Sequence, residues 1–137
     1  MRMKARLATI IATASAAVLF TSTAASAASW DGSINGTGGG AGGTVSVSLR
    51  GSIDVDVTVI DTISDGFCAQ MRITVDLPAY PDRDHDSPKA CGYQTGKTWD
   101  TTISESGTLR GVYLKMCRVH SDGSDRSCST EKYVNAG

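Results

Sequence analysis

The most regular feature of the chain is an alternation of apolar and polar side chains that begins at Val45. Odd positions carry Val45, Val47, Leu49, Gly51, Ile53, Val55, Val57 and Val59, and even positions carry Ser46, Ser48, Arg50, Ser52, Asp54, Asp56 and Thr58. A period of two puts successive side chains on opposite faces of a strand, so the odd set faces a core and the even set faces water. The run is longer than the usual strand of about five to ten residues, and Gly51 has no side chain to pack. A bend or break is therefore expected at Gly51, with both halves keeping one inward face.

A second alternating strand follows, with Phe67, Ala69, Met71, Ile73, Val75 and Leu77 on one side and Cys68, Gln70, Arg72, Thr74 and Asp76 on the other. A two-residue turn at Asp65 and Gly66 would mix the two faces. A five-residue loop over 62–66 instead sets Val59 against Ala69, Val57 against Met71 and Val55 against Ile73, which predicts a hairpin between these strands. Pro78 and Pro81 end the second strand, and residues 78–88 read as a charged loop. Shorter extended stretches are expected at 98–104, 109–120 and 128–134. In the middle one Val112, Leu114 and Met116 point one way and Tyr113, Cys117 and Val119 the other, as suits a central strand. No window has apolar residues at helical spacing over three turns, so helix is minor. The pattern predicts an all-β chain: a small antiparallel β-sandwich stapled by two disulfides.

Upstream of this region the composition changes twice. Arg2, Lys4 and Arg6 precede an apolar stretch over 7–20, and Ala25, Ser26 and Ala27 form an A-x-A cleavage site, which together read as a secretory signal over 1–27. The uninterrupted apolar run is shorter than the span of about 20 residues that a bilayer requires. Cleavage is expected after Ala27, with Ala28 as the near alternative. Gly36, Gly38, Gly39, Gly40, Gly42 and Gly43 then crowd together with only Thr37 and Ala41 between them. This is linker composition, so residues 28–43 are expected to be a flexible arm with Trp30 as a packed anchor, and residues 44–137 the folded domain. A phosphate-cradling loop would need a preceding strand, a following helix and a Lys with Ser or Thr, none of which the pattern supplies.

Three of the 13 Lys and Arg fall in the leader, so 10 cations face 14 Asp and Glu in the mature chain, a net charge of about −4. That balance argues against nucleic acid and anionic membranes as partners. Four cysteines in a small exported chain argue for two disulfides in an oxidising compartment. Any symmetric loop centred between Asp122 and Gly123 puts Cys117 directly opposite Cys128, at the spacing a cross-strand disulfide needs, and a four-residue tip over 121–124 makes the pair a close, non-hydrogen-bonded one. By elimination Cys68 pairs with Cys91. Zinc is the alternative for four cysteines, but no C-x-x-C knuckle occurs.

Candidate chemistry is sparse. Asp82, Asp84 and Asp86 alternate around His85 like the opening of a calcium loop, yet the later positions of that pattern hold Ser87 and Tyr93 instead of Gly and Glu. The three carboxylates still form a calcium candidate, because their mutual repulsion would be relieved by a divalent cation. Among the histidines, His85 and His120, neither sits in a recognisable nucleophile motif, and no G-x-S-x-G elbow occurs. No catalytic residue and no cofactor is assigned.

The segments Asp65-Gly66-Phe67-Cys68-Ala69, Ala90-Cys91-Gly92, Cys117-Arg118-Val119 and Cys128-Ser129 resemble uncharacterised small secreted proteins of actinobacteria, loosely over residues 61–134. That resemblance implies secretion and a disulfide-stapled β fold. Gly66, Cys68 and Ala69 opening an alternating strand, with Cys91 and Cys117 downstream, are also similar to the secreted α-amylase inhibitors, which are two-disulfide β-sandwiches. Their inhibitory Trp-Arg-Tyr would fall within 61–67, where it is absent. This second likeness implies a rival connectivity, Cys91 with Cys117 and Cys68 with Cys128. The leading expectation is a secreted, non-catalytic β-sandwich that binds an extracellular protein or cell-wall component or serves a structural role. The alternatives are an inhibitor of a secreted amylase or protease that inserts the loop 78–90 into an enzyme cleft, and a small secreted hydrolase resting on His85 or His120.

Overall fold

Alternation becomes pairing in a fold of nine strands: β1 (Ala27–Gly36), β2 (Gly39–Ser48), β3 (Ser52–Asp61), β4 (Cys68–Asp76), β5 (Arg83–Asp86), β6 (Ala90–Cys91), β7 (Gly96–Ser104), β8 (Gly111–Val119) and β9 (Ser127–Asn135). The computed structural model describes residues 27–137, and the expected signal over 1–27 lies, apart from Ala27, outside the described residues. Among the described residues there is no helix. One antiparallel sheet runs β1-β2-β3-β7. The other runs β5-β4-β8-β9, and β6 shares the outer edge of β4 with β5. The inward columns of both sheets meet in one core, where Val45, Val47, Ile53, Val55, Val57 and Val59 face Ala69, Met71, Ile73, Val75, Leu114 and Met116. The expected all-β sandwich is thus the observed one.

The expected break at Gly51 is a full reversal. Val47 pairs with Ile53 and Val45 with Val55, leaving Leu49, Arg50 and Gly51 as a three-residue turn. Gly51 takes φ 96° there, a left-handed conformation that closes this turn type at no steric cost. Both halves keep the same inward face, except that Leu49 falls in the turn and is exposed.

Two expectations are corrected. Residues 28–43 are not a flexible arm but most of the β1–β2 hairpin, whose Trp30, Ile34 and Ala41 are buried in the core. Glycine is needed there for close approach. A Cβ on Gly38 would lie 2.8 Å from the Arg118 Cα and the Cys117 carbonyl oxygen, and Cβ atoms on Gly39 and Gly43 would strike the carbonyl oxygens of Ile60 and Asp56. The glycines therefore let one backbone lie against another, a role that composition alone reads as a linker. The expected hairpin of β3 with β4 also does not form. β3 pairs with β2 and β7, whereas β4 pairs with β8, β5 and β6, so residues 62–67 cross from one sheet to the other. The matched parity of Val57 and Met71 reflects a shared core, not a shared ladder.

The last hairpin keeps the register read from the sequence, but its connection is wider than the expected four-residue tip, since β8 ends at Val119 and β9 begins at Ser127. Cys117 is registered opposite Cys128, and β8 is central between β4 and β9. The disulfides are Cys68–Cys91 and Cys117–Cys128, with Cα separations of 4.2 and 4.0 Å. This excludes the pairing implied by the α-amylase inhibitor likeness.

Candidate binding site

Both disulfides lie toward one end of the sandwich, where the chain passes between sheets. Asp61 closes β3, residues 62–67 cross to β4, and Cys68 at the start of β4 is joined to Cys91 of β6. The segment 92–95 then turns back to β7. Its return is held by Asp61, whose backbone N–H donates to the Thr95 carbonyl (3.0 Å) and whose carbonyl accepts from Gln94 N–H (2.6 Å).

Asp61 also continues the inward column of Val55, Val57 and Val59, and only 1% of it is exposed. Its carboxylate accepts the Ile63 N–H on Oδ1 (3.1 Å) and the Gly92 N–H on Oδ2 (3.1 Å), so one side chain anchors the two crossing segments. A buried carboxylate needs such donors, because its charged form is poorly solvated without them.

Next to it Phe67 forms a three-layer stack. Its ring lies 4.2 Å from the His120 ring at an interplanar angle of 27°, and the Arg118 guanidinium lies over it at 3.3 Å. Two groups this near the centroid must occupy opposite faces, so cation–π attraction and stacking both fix the ring. Arg118 Nε also donates to Asp65 Oδ2 (2.7 Å), and the Phe67 N–H donates to Asp65 Oδ1 (3.0 Å). These contacts, Arg118 first, hold the Asp65 carboxyl below its usual range. The result is a cleft of about 300 Å³ walled by Asp61, Phe67, Tyr93 and the Cys68–Cys91 disulfide. At its rim Ile63 and Tyr93 are 42% and 57% exposed.

The candidate calcium residues stand elsewhere. Arg83–Asp86 is not part of a free loop but the edge strand β5, paired to β4. Arg72 on β4 is 3.2 Å from Asp84 and 2.7 Å from Asp86, and Asp84 Oδ1 also accepts the Thr74 hydroxyl (2.7 Å). The repulsion that would have recruited a divalent cation is therefore met by a guanidinium. Asp82 precedes the strand and is exposed. Among the described residues no group of three or more His, Cys, Asp or Glu is placed to hold a metal. His85 pairs with Glu105 and His120 with Asp125, and among the described residues neither imidazole bonds a Ser or Thr hydroxyl.

Within the loop 78–90, residues 83–86 form β5 and Ala90 opens β6, and Ser87 between them is pinned to β4. The Ser87 N–H donates to the Met71 carbonyl (2.9 Å), its Oγ accepts the Met71 N–H (2.9 Å), and its carbonyl accepts the Gln70 amide (2.8 Å). Tyr80, in the bend before β5, is 64% exposed. Sequence reasoning missed Asp61 and Tyr93 as site residues. The available signal for Asp61 was an acid at the next inward position after Val59, a place where the alternation calls for an apolar side chain.

Comparison of the chain with protein-family models, with curated proteins and with solved structures finds no match.

Proposed function

We propose that this protein is a secreted, non-catalytic binding domain that engages an extracellular protein or cell-wall partner through its disulfide-braced end. The observation that carries the reading is the exposure of Ile63 and Tyr93 on segments immobilised by Asp61 and by the Cys68–Cys91 bridge. Apolar side chains already held in place lose little freedom on binding, so their burial translates efficiently into affinity. Two disulfides support an extracellular setting. Mature protein immobilised on resin should retain a partner from culture medium or cell-wall extract, and an Ile63→Ser, Tyr93→Ser variant of unchanged melting temperature should lose it. Equal recovery by both proteins would move the binding surface elsewhere.

Tyr80, raised between Pro78 and Pro81, favours a second reading in which the partner is a secreted hydrolase. A prolyl turn costs little ordering entropy on insertion into an enzyme cleft. Micromolar protein leaving amylases and serine proteases at full rate would remove that reading.

A further inference from the structure

We infer that the cleft beside Asp61 is a receptor for a single cationic group, the ammonium or guanidinium of a Lys or Arg side chain on a protein partner. The inference rests on the binding reading above and adds the chemistry of the ligand.

The charge balance of the cleft leads to it. Asp61 and Asp65 are the charged residues lining it, and both are acids. Asp65 is satisfied by Arg118, but Asp61 is not: its partners are two neutral backbone N–H groups, and among the described residues no Lys, Arg or His side chain lies within ion-pair distance of it. A carboxylate has about four acceptor positions, and these two donors occupy two of them. Both donors, Ile63 and Gly92, also line the cleft, so the carboxylate stands at its wall. A cation entering the cleft would supply the partner that the fold leaves out beside this buried carboxyl.

The remaining walls fit such a group. Both faces of Phe67 are taken by His120 and Arg118, but Tyr93 offers a ring face, which attracts a cation within about 6 Å, and Ile63 and the disulfide offer apolar surface for a methylene stem. The volume, about 300 Å³, suits one long side chain. An anionic ligand would find no cation among the lining residues, whose charged members are both acids. The net negative charge of the mature chain points the same way, since it favours encounter with basic surfaces.

The test uses the mature protein and four probes followed by amide chemical shifts: N-acetyl-lysine methylamide, N-acetyl-arginine methylamide, the neutral N-acetyl-norleucine methylamide, and n-butylammonium. A lysine or arginine probe should move the Ile63 and Gly92 amides saturably, weaken at high salt, and bind at least tenfold more tightly than the norleucine probe. Tyr93→Ala leaves every Asp61 contact in place and should weaken binding about two- to fivefold, the range for an exposed cation–π contact. Asp61→Asn should abolish binding, and if that variant does not fold, the norleucine comparison and Tyr93→Ala decide. n-Butylammonium binding as tightly as the amino-acid probes would support the cation site but assign it to free amines. Shifts of equal size with the neutral probe, or none with any cation, would overturn the inference. A partner captured through Ile63 and Tyr93 but not displaced by the cationic probes would sink this inference and leave the binding reading standing, whereas no partner at all would sink that reading.

Discussion

His85 Nε2 stands 2.8 Å from Glu105 Oε2, a contact that joins β5, at the edge of one sheet, to the residue following β7, at the edge of the other. The Glu105 side chain is only 5% exposed, Arg83 approaches it at 3.8 Å, and its backbone N–H donates to the Gly51 carbonyl at 2.8 Å. Removing one partner of a buried carboxylate costs more than the pair contributes, because the other charge is left poorly solvated. His85→Ala should therefore lower unfolding stability by about 1–3 kcal/mol in a urea titration. Glu105→Gln, which keeps hydrogen-bonding capacity without the charge, should cost less. An unchanged midpoint for His85→Ala would mean that this edge is held by other contacts.

The disulfides should map by non-reducing peptide analysis as Cys68–Cys91 and Cys117–Cys128. On the chain-entropy account each closes a loop of 23 or 11 residues' separation and contributes roughly 3 kcal/mol. Cys117→Ser with Cys128→Ser should lower stability by about that amount. Recovery of a Cys91–Cys117 peptide would contradict the observed register.

The β1–β2 hairpin can be tested glycine by glycine. Gly38→Ala places a Cβ against the Arg118 and Cys117 backbone at φ 87°, and should destabilise by at least about 2 kcal/mol. Gly42→Ala meets only ordinary contacts, the nearest being the Gly32 carbonyl oxygen at 3.5 Å, and should fall within about 1 kcal/mol of wild type. Thermal melts showing both variants equally stable would restore the flexible-arm picture.

Tyr133 sets an alkaline limit. Burial, and then the hydrogen bond its hydroxyl donates to Asp76 (3.0 Å), push its pKa up to about 12. The folded state thus holds this proton more tightly than the unfolded chain, whose tyrosines titrate near about 10. The stabilisation is complete below about pH 10 and is lost as the pH rises from there toward 12. Urea midpoints taken across that window should fall more steeply for wild type than for Tyr133→Phe, and parallel profiles would refute the assignment.

The strands were legible where polarity alternates. The inward columns Val45 to Val47, Ile53 to Val59, and Ala69 to Val75 are those that the period of two selects, because parity is a local property of extended backbone. The Cys117–Cys128 pairing was legible for the same reason, as it follows from a turn centred midway between two cysteines eleven positions apart. The β1–β2 hairpin was not, since glycine carries no polarity and its run looks alike in a linker and in two closely packed strands.

Which strand pairs with which was a tertiary decision. An inward face is satisfied equally by a neighbour in its own sheet or by the sheet opposite, so the alternation of β3 and β4 fits both a hairpin and a crossing, and only the assembled sandwich selects the crossing. The same holds for charge. Asp84 and Asp86 looked like a repelling cluster along the chain, until β4 brought Arg72 between them. Asp61 looked like one acid among 14 Asp and Glu, until the fold buried it beside Tyr93 and the Cys68–Cys91 bridge. Sequence alone determined which faces turn inward, because that depends on neighbours two residues away. Tertiary structure decided which charges meet and which are left without a counterion, because those distances are set by segments far apart in the chain.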